Sequence, residues 1–208
     1  MSLLHLLGYK TITLSQLTDA LCGGVDLPRH AFVVTFDDGY IGVHDCALPV
    51  LAKYGFTATC FLIAEEFALR NSGLPQRAFP SVNKEQVRDM LAAGFTIGSH
   101  SMSHARLTEL SPAELHVEVR DSRRVLEDQF SVPVSAFAYP YGAFDRNVEA
   151  AVEGAGYDCA CSTLFGATHL HSDRFHLKRI AVGGSPNLLR FTYRTLVRPR
   201  LSEQKGGE

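Results

Sequence analysis

Two stretches of the 208-residue sequence gather side chains able to do chemistry. The first is Thr35-Phe36-Asp37-Asp38-Gly39. It follows Ala31-Phe32-Val33-Val34, a short run rich in β-branched and aromatic residues that reads as a buried strand over 31–36. Neighbouring strand residues point to opposite faces, so two acids in a row at a strand end aim in different directions. In parallel-sheet folds such positions, at the C-terminal ends of strands, collect ligand sites. A plainer reading makes Asp37 and Asp38 caps for a helix beginning near Tyr40, since Asp is a good N-cap and Asp-Gly a common turn.

The second stretch is His100-Ser101-Met102-Ser103-His104, after the apolar run Phe95-Thr96-Ile97-Gly98. On a helical turn, residues four apart share one face, so both imidazoles can reach one ion. Neutral imidazole suits zinc and other first-row divalent cations, and one carboxylate completes a three-ligand set with a position left for water. A chance pair at this spacing is not rare among nine histidines. The joint pattern carries more weight, because both stretches end a candidate strand beside a glycine.

The ordered set, Thr-Phe-Asp-Asp-Gly followed by His-Ser-x-Ser-His, resembles the polysaccharide deacetylase family, also called the NodB-homology or carbohydrate esterase 4 group. Gly8-Tyr9-Lys10-Thr11-Ile12-Thr13-Leu14, the segment Leu51–Leu62, and Phe137-Ala138-Tyr139-Pro140-Tyr141-Gly142 extend the likeness over residues 8–183. The Tyr-Pro-Tyr-Gly form is similar to the poly-N-acetylglucosamine deacetylase branch. The resemblance implies one divalent cation, zinc first, with cobalt, nickel or manganese as alternatives, held by Asp38, His100 and His104. It implies Asp37 as general base and the backbone N–H of Tyr141 as oxyanion donor, with Pro140 stiffening that turn. An ordinary turn is the alternative for Pro140-Tyr141-Gly142. The implied reaction removes N-acetyl groups from an N-acetylglucosamine-containing polysaccharide through water bound to the cation. Alternatives are a weakened carbohydrate-binding pseudoenzyme of the same fold and an O-acetyl esterase acting on xylan.

The chain departs from the resembled pattern in three ways. The arginine usual in the third motif is replaced by Ala138; Arg179, in Leu177-Lys178-Arg179-Ile180, is the candidate substitute partner for Asp37, against the alternative of a strand-end surface charge. There is no tryptophan, so Leu177 or another apolar residue must line the acetyl pocket. The general acid is unknown: His169, His171 and His176 sit in no clear copy of the late Leu-x-x-His, and His5 falls on an expected helix. In the resembled branch a Tyr-His segment precedes the equivalent of Gly8-Tyr9, so the resemblance implies that a first strand is missing here.

The elements that position these residues alternate. Strands are expected at 31–36, 57–63, 95–99, 134–138, 159–162 and 177–182. Helices are expected from a Ser15 cap to Leu21, over 43–53 with Pro49 disturbing the middle, over 83–93, from a Ser111-Pro112-Ala113-Glu114 capping box to Phe130, after Asp145, and from Ser185-Pro186 to Leu196. In the helix after Ser111, Leu115, Val119, Leu126 and Phe130 define a buried face, and its charged residues read as solvated. Alternation argues for α/β architecture with a parallel sheet. The resemblance selects a distorted, incomplete (β/α) barrel of about seven strands. Residues 1–197 form one domain, 198–208 a polar tail, and the loop 65–82 is either a rim for substrate or a passive connection.

Composition bounds the rest. A net charge of −2 with no basic block argues against nucleic acid. No apolar run reaches the roughly 18–20 residues of a membrane helix. The five cysteines lack a Cys-x-x-Cys; Cys159 and Cys161 read as small buried hydrophobes, a usage that leans toward a reducing compartment. No signal peptide is recognisable at Met1-Ser2-Leu3-Leu4, whereas the resembled family is largely extracytoplasmic. An acetylated polysaccharide or oligosaccharide is the partner implied.

Overall fold

The computed structural model describes residues 1–68, 80–168, 172–183 and 187–197. Its centre is a parallel sheet in the order β3-β4-β5-β6-β7-β8: Thr35–Phe36, Thr59–Leu62, Thr96–Ser99, Ala136–Ala138, Cys159–Phe165 and Leu177–Arg179. Two further strands, β1 (Lys10–Thr11) and β2 (Ala31–Phe32), pair in parallel beside it. The central sheet curls until its edge strands approach. At the end of β8, Arg179 donates to Thr35 Oγ1 of β3 at 3.2 Å and to the Ser162 carbonyl of β7 at 2.8 Å. The architecture is the incomplete α/β barrel expected.

Side chains of the strands sort by alternation. Phe61, Ala136, Ala138, Cys159, Cys161 and Leu177 pack together as one cluster. Their neighbours Cys60, Leu62, Phe137 and Ala160 join the larger core under the helices. Both Cys159 and Cys161 are buried, as expected of small apolar side chains.

The expected strand over 31–36 is in fact two. β2 pairs with β1 through Ala31 and Phe32, then the chain changes partners at Val33-Val34, and Thr35 and Phe36 pair with β4. Apolar periodicity cannot see a change of partner. The first long helix also begins earlier than expected: Thr13, not Ser15, caps Leu14–Leu21, closing a reciprocal box with Gln16. Pro49 does break the regularity of 43–53, with a π-turn over Val43–Ala47 and an α-helix over Leu48–Lys53. Asn83, Ser111 and Asp145 cap their helices as expected. The Ser111 helix passes through a π-turn at Val117–Asp121 between Pro112–His116 and Ser122–Phe130. The last helix covers Leu188–Thr192, capped by Asn187; Ser185-Pro186, His169, His171 and the tail lie outside the described residues.

Gly98, inside β5, is required for the sheet to close. A Cβ there would press into the Phe61 ring and lie 2.9 Å from the Ala136 carbonyl oxygen. Gly98→Ala should therefore cost about 1–3 kcal/mol of stability. At roughly 2–4 °C per kcal/mol for a chain of this size, thermal denaturation should register several degrees.

Candidate active site

The catalytic candidates meet where the strands end. Asp37 and Asp38 follow β3, His100 follows β5, Pro140-Tyr141-Gly142 follow β6, and Arg179 ends β8. The two acids diverge because of a turn rather than a strand pleat: Asp38 has φ 68° and Gly39 φ 64°. Asp tolerates this left-handed region better than most residues. The helix that follows begins at Ile41, and the Asp37 carboxylate is taken up by Arg179 rather than by that helix.

Asp38 faces the histidines. Its Oδ1 lies 3.3 Å from His104 Nε2 and 3.8 Å from His100 Nε2. The two imidazoles stand 4.8 Å apart, centroid to centroid. The His100–His104 segment is not helical, contrary to expectation. It is a loop in which Ser101 (φ 66°) and His104 (φ 63°) take left-handed backbone, and that brings the rings together. Ser101 Oγ accepts the His104 N–H at 2.9 Å. His100 Nδ1–H donates to the Ala138 carbonyl at 2.7 Å, which leaves Nε2 with its lone pair toward Asp38. Burial pushes the His100 imidazole below its ordinary pKa against the pull of Asp37, favouring the neutral form. Tetrahedral ligands about 2.1 Å from a zinc ion lie about 3.4 Å from one another, so the donor set fits such a cation.

Asp37 points the other way. Arg179 Nη1 and Nη2 donate to its two oxygens at 2.7 and 2.8 Å. Burial alone would raise the Asp37 carboxyl; the hydrogen bonds and charge of Arg179, with His100 and His104, hold it below the usual carboxylate value. Ala138, where the resembled pattern has arginine, is fully buried. The guanidinium thus comes from β8 instead of β6. Burial pushes the Cys60 thiol up to about 12, and the nearby Asp37 and Asp38 add to the shift.

A cavity of about 480 Å³ opens over these groups. Its walls are Tyr40, Tyr139, Tyr141 and Thr163 beside Asp37, Asp38, His100 and His104. Tyr141 has φ 60° and a half-exposed ring, packed edge-on against His104 at 4.6 Å with the Arg106 guanidinium 4.9 Å over it. Leu177 is not in the wall. It is 2% exposed within the strand cluster, and Pro140 is likewise buried. Tyr139, before Pro140, borders the cavity but is fully buried, its ring stacked on Phe144 and its hydroxyl donating to the Phe175 carbonyl. His176 lies apart from the cavity wall, its Nε2 2.5 Å from Glu149 and its ring against Phe144. His5 packs against Tyr54 and Phe56.

The sequence gives no site role to Tyr40, Thr163, Arg106 or Glu118, which the structure places around the cavity and the histidine loop. The charged residues of its helix read as solvated in the sequence, yet Glu118 is 8% exposed and hydrogen-bonded to the histidine loop. The signal was present: Glu118 stands three residues after Leu115, on the buried face of its helix.

A curled parallel sheet with two imidazoles and a carboxylate converging at its strand ends defines an α/β half-barrel with a candidate cation site. Residues 24–160 match the polysaccharide deacetylase domain, and the chain belongs to that family. It is 29% identical over 182 residues to YxkH of Bacillus subtilis (strain 168), assigned by its name to the polysaccharide deacetylases, covering 88% of this chain and 62% of the relative. It is 23% identical over 164 residues to the poly-beta-1,6-N-acetyl-D-glucosamine N-deacetylase of Staphylococcus aureus (strain MRSA252), covering 74% of this chain and 55% of that one. The chain thus spans less than two thirds of these relatives. Among solved structures, the Streptococcus pyogenes deacetylase PplD in complex with acetate superposes with TM-score 0.79 at 23% identity, over 86% of this chain and 76% of that one. IcaB from Ammonifex degensii superposes with TM-score 0.77 at 23% identity, over 86% and 79%. These establish the fold.

Arg179→Ala should destabilise the protein by up to about 3 kcal/mol in urea denaturation, the low end for a broken buried pair because Asp37 keeps some solvent. The pH dependence should change sign. With Arg179 present, the Asp37 contribution is full above its unfolded pKa of about 3.9 and is lost as pH falls through the lower folded value. Without it, burial raises the folded pKa, so the penalty grows as pH rises from 4 to 7.

Proposed function

We propose that this chain is a cation-dependent hydrolase that removes N-acetyl groups from an N-acetylglucosamine-containing polysaccharide. The observation that carries the reading is the convergence of His100 Nε2, His104 Nε2 and an Asp38 carboxylate oxygen, all within 4.8 Å of one another, beside an Asp37 turned away from them. Family membership and the named activity of the Staphylococcus aureus relative support the substrate class.

In this reading Asp38, His100 and His104 hold one divalent cation, zinc first. Asp37 is the general base. Held charged by Arg179, it is a weak base, and each oxygen keeps a lone pair beyond its arginine contact. A bound divalent ion supplies what such a base needs, lowering the pKa of water to about 7 and polarising the acetyl carbonyl. Asp37 takes the proton from the attacking water, the backbone N–H of Tyr141 is offered to the developing oxyanion, and the departing amine takes up that proton as the C–N bond breaks. Tyr40 and Tyr141, both exposed at the cavity, offer ring surface to the C–H bonds of a sugar.

The test combines cation titration with acetate release from acetylated chito-oligosaccharides. The metal-loaded protein should release acetate, and chelator should abolish it. Asp37→Asn should lower kcat by about 10²–10⁴-fold while leaving zinc affinity nearly unchanged. His104→Ala should lose zinc affinity. Tight zinc binding with no chelator-sensitive acetate release would replace the hydrolase by a carbohydrate-binding module of the same fold.

A further inference from the structure

We infer that Glu118 is a positioning residue for the imidazole pair: its buried carboxylate holds the His100–His104 loop in the backbone conformation that turns both Nε2 atoms toward Asp38. The inference rests on the cation-site reading above.

The loop does not hold itself. Ser101 and His104 both sit at positive φ without being glycine, a conformation that persists only where surrounding contacts over-determine it. One contact is internal, from His104 N–H to Ser101 Oγ. Two come from the chain after β4, where Ala64 and Glu65 N–H donate to the Ser101 and Met102 carbonyls. The middle of the loop is held by Glu118. Its Oε2 accepts the N–H groups of Met102 at 3.0 Å and Ser103 at 2.9 Å, and its Oε1 accepts the Ser103 hydroxyl at 2.5 Å. The Glu118 main-chain carbonyl accepts the Met102 N–H as well, at 3.0 Å.

Three donors converging on one side chain call for an acceptor on both oxygens, which a carboxylate provides and an amide does not. The helix is adapted to present it. Glu118 lies in the π-turn Val117–Asp121, whose wider winding frees a main-chain carbonyl for the loop while Val119, next in sequence, stays in the core. The hydrogen bonds of the Glu118 carboxylate go to the Met102 and Ser103 main chain and the Ser103 hydroxyl, so its influence runs through the loop backbone. Groups that orient metal ligands in this indirect way typically change metal affinity by about 10–100-fold when altered.

The experiment compares the parent protein with Glu118→Gln and Glu118→Asp. Zinc affinity is measured by competition with a chromophoric chelator, and amide hydrogen exchange over residues 100–104 is measured on metal-free protein. Glu118→Gln keeps the volume but sets an NH₂ group against N–H donors. It should bind zinc about 10–100-fold more weakly and exchange faster over 100–104. Glu118→Asp, which keeps both acceptor oxygens on a shorter arm, should recover part of both. Should Glu118→Gln fail to fold, Glu118→Asp carries the same comparison against the parent. Variants that bind zinc within twofold of the parent, with only a lowered melting temperature, would make Glu118 a structural residue and overturn the inference. A parent protein without zinc affinity would instead overturn the cation site itself, and the inference with it.

Discussion

One guanidinium closes the sheet and sets the charge of the site. Arg179 reaches from β8 to the Ser162 carbonyl on β7, to the Thr35 hydroxyl on β3 and to both oxygens of Asp37. The edge strands of the curled sheet are therefore joined through a side chain. Asp37 would be raised by its burial; beside Arg179 it stays ionised. The bidentate geometry also fixes the direction of the carboxylate, leaving Asp38 alone to face the histidines.

The strain in the backbone is concentrated at this place. Among the described residues, five non-glycine positions have positive φ: Asp38, Ser101, His104, Ser131 and Tyr141. Four of them belong to the site, and the fifth ends the helix Ser122–Phe130. Each such residue costs on the order of 1–3 kcal/mol. A rigid sheet, the Glu118 anchor and the packing of Tyr141 between His104 and Arg106 hold the strained loops in register. Gly142, at φ 68°, continues this pattern, because a side chain there would collide with Thr163 in the cavity wall.

The departures from the resembled family are local exchanges. Ala138 gives up a side-chain role, yet its carbonyl orients His100. The guanidinium absent from that position arrives from another strand, where Arg179 meets Asp37. Without tryptophan the exposed part of the cavity wall is built from Tyr40, Tyr141 and Thr163, while Leu177, the expected replacement, is buried in the strand cluster.

Local signals in the sequence determined the strand–helix alternation, the caps at Asn83, Ser111 and Asp145, and the identity of the chemistry-bearing motifs. Each depends on residues within a few positions of one another, which is the range over which propensity, capping and periodicity act. Tertiary structure decided the rest. The change of pairing between Phe32 and Thr35 depends on which strands are available as partners. The turn of the His100–His104 loop depends on a carboxylate 14 residues beyond His104 in the chain, whose three donors appear only when helix and sheet pack. The placement of Leu177 inside the strand cluster follows from the curl of the sheet. Such contacts join residues far apart in the chain, and no local pattern encodes which side chain will fill the space between them.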